Sequence, residues 1–122
     1  MLNDYGSFIM TFSDLQLLPE IQEALREKGY VQPTPVQEQT IPAVMQGRDV
    51  LSLAQTGTGK TAAFALPILH VLATTPQVKG CRVLVLAPTR ELAIQIHDNF
   101  SAYGKKLPYK MALLYGGVGQ QA

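Results

Sequence analysis

Three short apolar runs alternate with two helical stretches between residue 49 and residue 115, and this order constrains the fold more than any other feature of the chain. Residues 49–54 (DVLSLA) carry apolar side chains at 50, 51, 53 and 54. A run with no polar face predicts a strand buried on both sides, as parallel sheets bury theirs. Residues 82–87 (RVLVLA) and 110–115 (KMALLY) predict two more strands. Helical spacing fills the intervals, from Lys60 to about Ala73 and from Arg90 to about Tyr103, with Leu92, Ile96 and Phe100 on one stripe. A β-α-β-α-β order predicts an α/β domain with a parallel sheet, right-handed crossovers and flanking helices.

Two helices are expected upstream. Ser13 or Asp14 is a candidate cap for a short turn, and Pro19 suits a first helical position. Ile21, Ala24, Leu25 and Lys28 follow at helical spacing, with Gly29 as the stop. Thr34 reads as the N-cap of the next helix, Pro35 as its first residue and Gly47 as its end. Pro42 falls inside that stretch and is expected to kink or split it. Residues 1–11 show no periodicity and read as a flexible leader, with the domain running from 12 to 122.

The strongest chemical signal lies in the turn between the first strand and its helix: Ala54, Gln55, Thr56, Gly57, Thr58, Gly59, Lys60, Thr61. It resembles a Walker A motif, with Ala54 where the strict pattern has glycine. Gly57 and Gly59 permit a backbone curl whose N–H groups face a polyphosphate. The helix dipole adds positive potential there. Lys60 supplies a point charge for the β- and γ-phosphates, and Thr61 a hard hydroxyl ligand for Mg²⁺. These two residues are the candidates for catalysis, and Thr61 for the metal.

A phosphate cradle does not choose a base. The segment Gly29, Tyr30, Val31, Gln32, Pro33, Thr34, Pro35, Val36, Gln37 precedes the loop, and an isolated aromatic, Phe12, lies 17 residues before Gly29. A glutamine amide can accept from adenine N6 and donate to N7 together, whereas guanine presents acceptors at both edge positions. An aromatic face from Phe12, helped by Tyr30, can stack on the base. This arrangement resembles the Q motif of the DEAD-box RNA helicases. The resemblance implies an ATP site formed by Phe12, Tyr30, Gln32, Thr34 and Gln37 together with residues 54–61.

Two further pieces fit the same family. Ala87, Pro88, Thr89, Arg90, Glu91, Leu92, Ala93 resembles motif Ia, which holds RNA backbone. The start of a helix with Thr89 and Arg90 is an anion site in its own right. Gly116 and Gly117 resemble the family's GG motif, where bare backbone approaches RNA; on their own they are equally a turn. From Phe12 to Gly117 the motifs stand in family order. The resemblance is nearest to bacterial members such as the RhlE-like group. It implies a RecA-like P-loop domain and a substrate of single-stranded or short duplex RNA; protein partners, ribosomal or RNA-decay proteins among them, are not specified by the sequence.

Composition limits the alternatives. Ten Lys/Arg against nine Asp/Glu give a net charge of +1, so nucleic acid must be held by a few placed groups rather than a broad positive field. The single cysteine, Cys81, reads as a small core or strand-edge residue and suits a reducing cytoplasm. His70 and His97 read as ordinary helix residues. No secretory leader is visible, and no apolar run is long enough to span a bilayer. The Asp-Glu-Ala-Asp and Ser-Ala-Thr segments and the second RecA-like domain are not in the sequence. The expectation is that the chain binds adenine nucleotide weakly or not at all, does not turn it over, and, with sheet edges uncovered, aggregates, associates with itself or is rescued by the rest of the polypeptide. Other readings are a different superfamily-2 helicase and a non-enzymatic fragment that binds nucleotide or RNA.

Overall fold

The computed structural model describes residues 10–53 and 59–115. A 3-10 turn, Phe12–Leu15, is followed by four helices: α1 Pro19–Glu27, α2 Pro35–Met45, α3 Lys60–Thr74 and α4 Arg90–Tyr103. α3 is the central element. Its face of Ala62, Ala63, Ala65, Leu66 and Leu69 is buried, and small alanines let α2 approach closely along one side. α4 packs on α3 through Phe100 and Phe64, whose rings lie 6.1 Å apart at 43°. Ile21, Leu25 and Ile41 complete the core, each at 0–1% exposure. Full burial of such a side chain contributes roughly 2 kcal/mol.

Local signals place the helix ends. α1 ends on Gly29, at φ 78°, where the left-handed conformation costs a glycine little. The Tyr30 amide then donates to the Leu25 carbonyl at 2.9 Å and the Gly29 amide to Arg26 at 3.0 Å, a Schellman ending that fixes where Tyr30 leaves the helix. Thr34 caps α2 with Pro35 at its first position, as expected. The first turn is capped by Thr11, not by Ser13 or Asp14. Asp14 instead sits at the third position and accepts from the Thr11 amide at 2.8 Å. Pro42 neither splits α2 nor ends it, and α3 likewise runs through Pro67.

The expected sheet is not confirmed. No strand is formed among the described residues. Leu51 and Leu53 are each 88% exposed, and Leu84 and Leu86 77% and 82%. An apolar run supplies faces to bury, but a strand exists only through its ladder. Among the described residues, none of the three segments pairs. Cys81, expected at a strand edge or in the core, is exposed.

Candidate functional site

The start of α3 faces the start of α2, and Gln37 joins them. Its side chain is 4% exposed. Its Oε1 accepts from the Thr34 amide at 3.0 Å, while the Thr34 hydroxyl accepts from the Gln37 amide at 3.4 Å, a reciprocal capping box. Its Nε2 donates to the Gly59 carbonyl at 3.1 Å. That same carbonyl accepts from Ala63 at 3.2 Å in the first turn of α3. One primary amide therefore ties the cap of α2 to the cap of α3. An amide oxygen has two lone pairs and an amide nitrogen two hydrogens. One of each remains on Gln37 beyond these bonds.

Gly59 is the N-cap of α3, at φ 80° and ψ 25°. A Cβ there would lie 2.3 Å from Gln37 Nε2 and 3.3 Å from Thr34 Oγ1. Glycine is required twice, by the backbone conformation and by the amide packed against it. Lys60 and Thr61 follow as the first two residues of α3, whose first turn has no acidic side chain. Lys60 is exposed and Thr61 half-buried. Helix-start amides, a cation and a hydroxyl thus share one place, an arrangement suited to phosphate oxygens. Thr61 provides one hard oxygen, and no cluster of three or more His, Cys, Asp or Glu exists among the described residues. That donor set fits Mg²⁺ brought in on nucleotide phosphates, because this ion keeps most of its waters. Ala54, Gln55, Thr56, Gly57 and Thr58 lie outside the described residues.

The aromatic part differs from expectation. Phe12 is 4% exposed and belongs to the core; its carbonyl accepts from Gln22 Nε2 at 2.6 Å and its amide donates to Val31 at 3.1 Å. Its ring stacks on Tyr30, at 6.3 Å between centroids and 22° between planes. Tyr30 is 39% exposed, so it is the ring of this pair open to a ligand. Gln32 is exposed beside it. Lys28 Nζ lies 5.9 Å from the Tyr30 centroid and 5.6 Å from that of Tyr103.

At the other candidate interface, Pro88 and Thr89 are exposed. The Thr89 hydroxyl does not point away as a spare group. It accepts from the Leu92 amide at 3.1 Å and caps α4. Arg90 opens the helix with its guanidinium 5.0 Å from the Tyr115 ring centroid, a stacking partner the sequence did not suggest. Gly116 and Gly117 lie outside the described residues. A missed structural residue is His70, whose Nδ1 accepts from the Leu18 amide at 3.1 Å and anchors the start of α1 on α3. Burial holds its pKa below the usual imidazole value.

Known proteins similar to this chain carry the same segment. The ATP-dependent RNA helicase DeaD of Escherichia coli is 49% identical over 113 residues, covering 92% of this chain and 18% of that protein. An ATP-dependent rRNA helicase of Yarrowia lipolytica is 48% identical over 108 residues, covering 88% of this chain and 22% of that protein. The chain therefore spans about a fifth of the length of these curated relatives. Near-equal identity to bacterial and fungal proteins means that this segment carries family identity rather than subgroup identity. Among solved structures, a DEAD box protein from the hyperthermophile Methanococcus jannaschii superposes with a TM-score of 0.82 at 34% identity, over 92% of this chain and 31% of that one. A hypothetical ATP-dependent RNA helicase from Sulfolobus tokodaii gives 0.72 at 41% identity, over 82% and 28%. The course of the chain is thus that of a DEAD-box helicase domain, even where its apolar segments form no ladder. The family described as DEAD/DEAH box helicase matches residues 34–122, from the cap of α2 onward, and the chain belongs to that family.

Proposed function

We propose that the chain is the ATP-binding part of an ATP-dependent RNA helicase that remodels or unwinds short RNA duplexes. One observation carries the nucleotide reading: the buried Gln37 amide is bonded to the carbonyl of Gly59, the residue immediately before Lys60 and Thr61. The remaining hydrogen on Nε2 and the remaining lone pair on Oε1 suit adenine N7 and N6. Base recognition and phosphate binding are then joined by a single hydrogen bond. Tyr30 flanks the base, with Phe12 behind it and Gln32 and Thr34 beside it. Lys60 and the amides at the start of α3 hold the phosphates. Thr61 ligates the Mg²⁺ that arrives with them.

The RNA reading rests on the start of α4. Its amides, Arg90 and the exposed Pro88–Thr89 corner suit a backbone phosphate, with Gly116 and Gly117 as the second contact. We also propose that residues 49–54, 82–87 and 110–115 pair as a parallel sheet in a RecA-like arrangement, which would cover the apolar side chains now exposed. An exposed, unpaired thiol at Cys81 suits a reducing cytoplasm.

ATP turnover by the intact protein is the test. Single-stranded RNA should stimulate it and DNA of the same sequence should not. Lys60→Ala should lower it by about 100-fold or more, since phosphate-charge contacts of this kind are worth several kcal/mol. Equal stimulation by DNA, or turnover untouched by Lys60→Ala, would overturn the proposal.

A further inference from the structure

A helix start attracts an anion only as far as its own charges allow. The first turn of α4 carries Glu91, whose carboxylate offsets the positive end of the helix dipole. The Thr89 hydroxyl is engaged with the Leu92 amide. Attraction for a phosphate at this corner therefore depends on where the Arg90 guanidinium is held. Arg90 is exposed, and a long exposed side chain that must be ordered on binding weakens the complex.

One ring holds it in place beforehand. The Arg90 guanidinium carbon lies 5.0 Å from the centroid of the Tyr115 ring. Stacking uses the flat face of a guanidinium. Its N–H donors lie in the plane, so a stacked arginine can still offer its fork to a phosphate. Tyr115 is half-buried, while Met111 and Leu114 of the same segment are 39% and 62% exposed. No ladder fixes this segment among the described residues. It is tied at its two ends instead. The Tyr109 hydroxyl donates to the Leu72 carbonyl of α3 at 2.7 Å, a carbonyl that also accepts from Arg82 at 3.1 Å. Tyr115 closes the other end on Arg90, with no ligand needed to bring the two together.

We infer that Tyr115 is a positioning residue for RNA backbone: its ring fixes the Arg90 guanidinium at the start of α4, so that a phosphate meets a fork already ordered. This rests on the RNA reading above. The Tyr115 hydroxyl takes no part, because the attraction is to the ring face. The contribution is blind to base sequence, because the group being held is one that meets phosphate.

The test measures binding of the intact protein to labelled oligouridylate and oligoadenylate of equal length, at a saturating concentration of a non-hydrolysable ATP analogue. Tyr115→Leu should weaken both by about three- to tenfold, the cost of ordering one long side chain on binding. Tyr115→Phe should bind as wild type does. Arg90→Lys keeps the charge but loses the planar face, and should weaken both oligonucleotides as Tyr115→Leu does. In an Arg90→Ala background, Tyr115→Leu should have no further effect. Should Tyr115→Leu fail to fold, the contrast between Arg90→Lys and Tyr115→Phe decides. The inference is overturned if Tyr115→Leu stays within about twofold of wild type, or if Tyr115→Phe loses as much as Tyr115→Leu. It is overturned equally if the losses at 90 and 115 add, or if oligouridylate and oligoadenylate are affected unequally, as a base stacked on the ring would require. Failure of the functional reading is distinct: Arg90→Ala would then bind RNA as tightly as the wild-type protein.

Discussion

A methyl group added at Gly59 would meet two separate obstacles. The first is conformational. At φ 80°, an L-residue pays about 1–2 kcal/mol for the left-handed region. The second is steric. The new carbon would sit 2.3 Å from Gln37 Nε2, so the amide must swing away and abandon the Gly59 carbonyl. Losing that hydrogen bond from a buried amide adds about 1–3 kcal/mol. Gly59→Ala should therefore cost about 2–5 kcal/mol in all. Gly47 provides the internal control. Its φ is 77°, and nothing lies within 4 Å of where its Cβ would be. Gly47→Ala should cost only the conformational part, about 1–2 kcal/mol. Urea unfolding of both variants gives the difference directly, and nucleotide affinity should fall only in Gly59→Ala. If the two variants are equally destabilised, the amide is not held against Gly59 and the link between base and phosphate sites is wrong.

Other consequences are equally accessible. Removing the reciprocal cap with Thr34→Ala should cost about 1 kcal/mol in urea unfolding; no measurable change would mean that α2 is capped otherwise. Leu66, at 0% exposure in α3, should cost about 3–5 kcal/mol as Leu66→Ala, against under 1 kcal/mol for a surface alanine substitution. His70 makes stability depend on pH. Burial lowers its folded pKa below 6.5, so the unfolded chain binds the proton more readily. The contribution is complete above pH 6.5 and is lost as pH falls below that value toward the folded pKa, because a protonated Nδ1 cannot accept from Leu18. His70→Gln should flatten that part of the urea-midpoint profile.

Helix ends were legible because capping is local chemistry. Thr34 with Pro35 and Gly29 before Tyr30 each state their role within a few residues. The start of α3 at Lys60, after Gly59, was legible for the same reason. What could not be read depends on contacts far apart in sequence. Gln37 meets Gly59 across 22 residues, and Leu18 meets His70 across 52. Phe12, isolated in sequence, reads as a ring that can stack on the base. The 3-10 turn carries it into the core beside Leu15 and leaves Tyr30 outside. The apolar runs announced strands, yet pairing is a property of two segments, and no single run encodes its neighbour.

The account depends on Gln37 choosing the purine while the start of α3 holds the phosphates. Titrating the intact protein with ADP and GDP, in wild type and in Gln37→Ala, measures this most directly. The prediction is at least about tenfold tighter binding of ADP, as expected for one bidentate base contact, with the preference abolished in Gln37→Ala. Equal affinity for the two nucleotides in the wild-type protein, or an adenine preference that survives in Gln37→Ala, would contradict it.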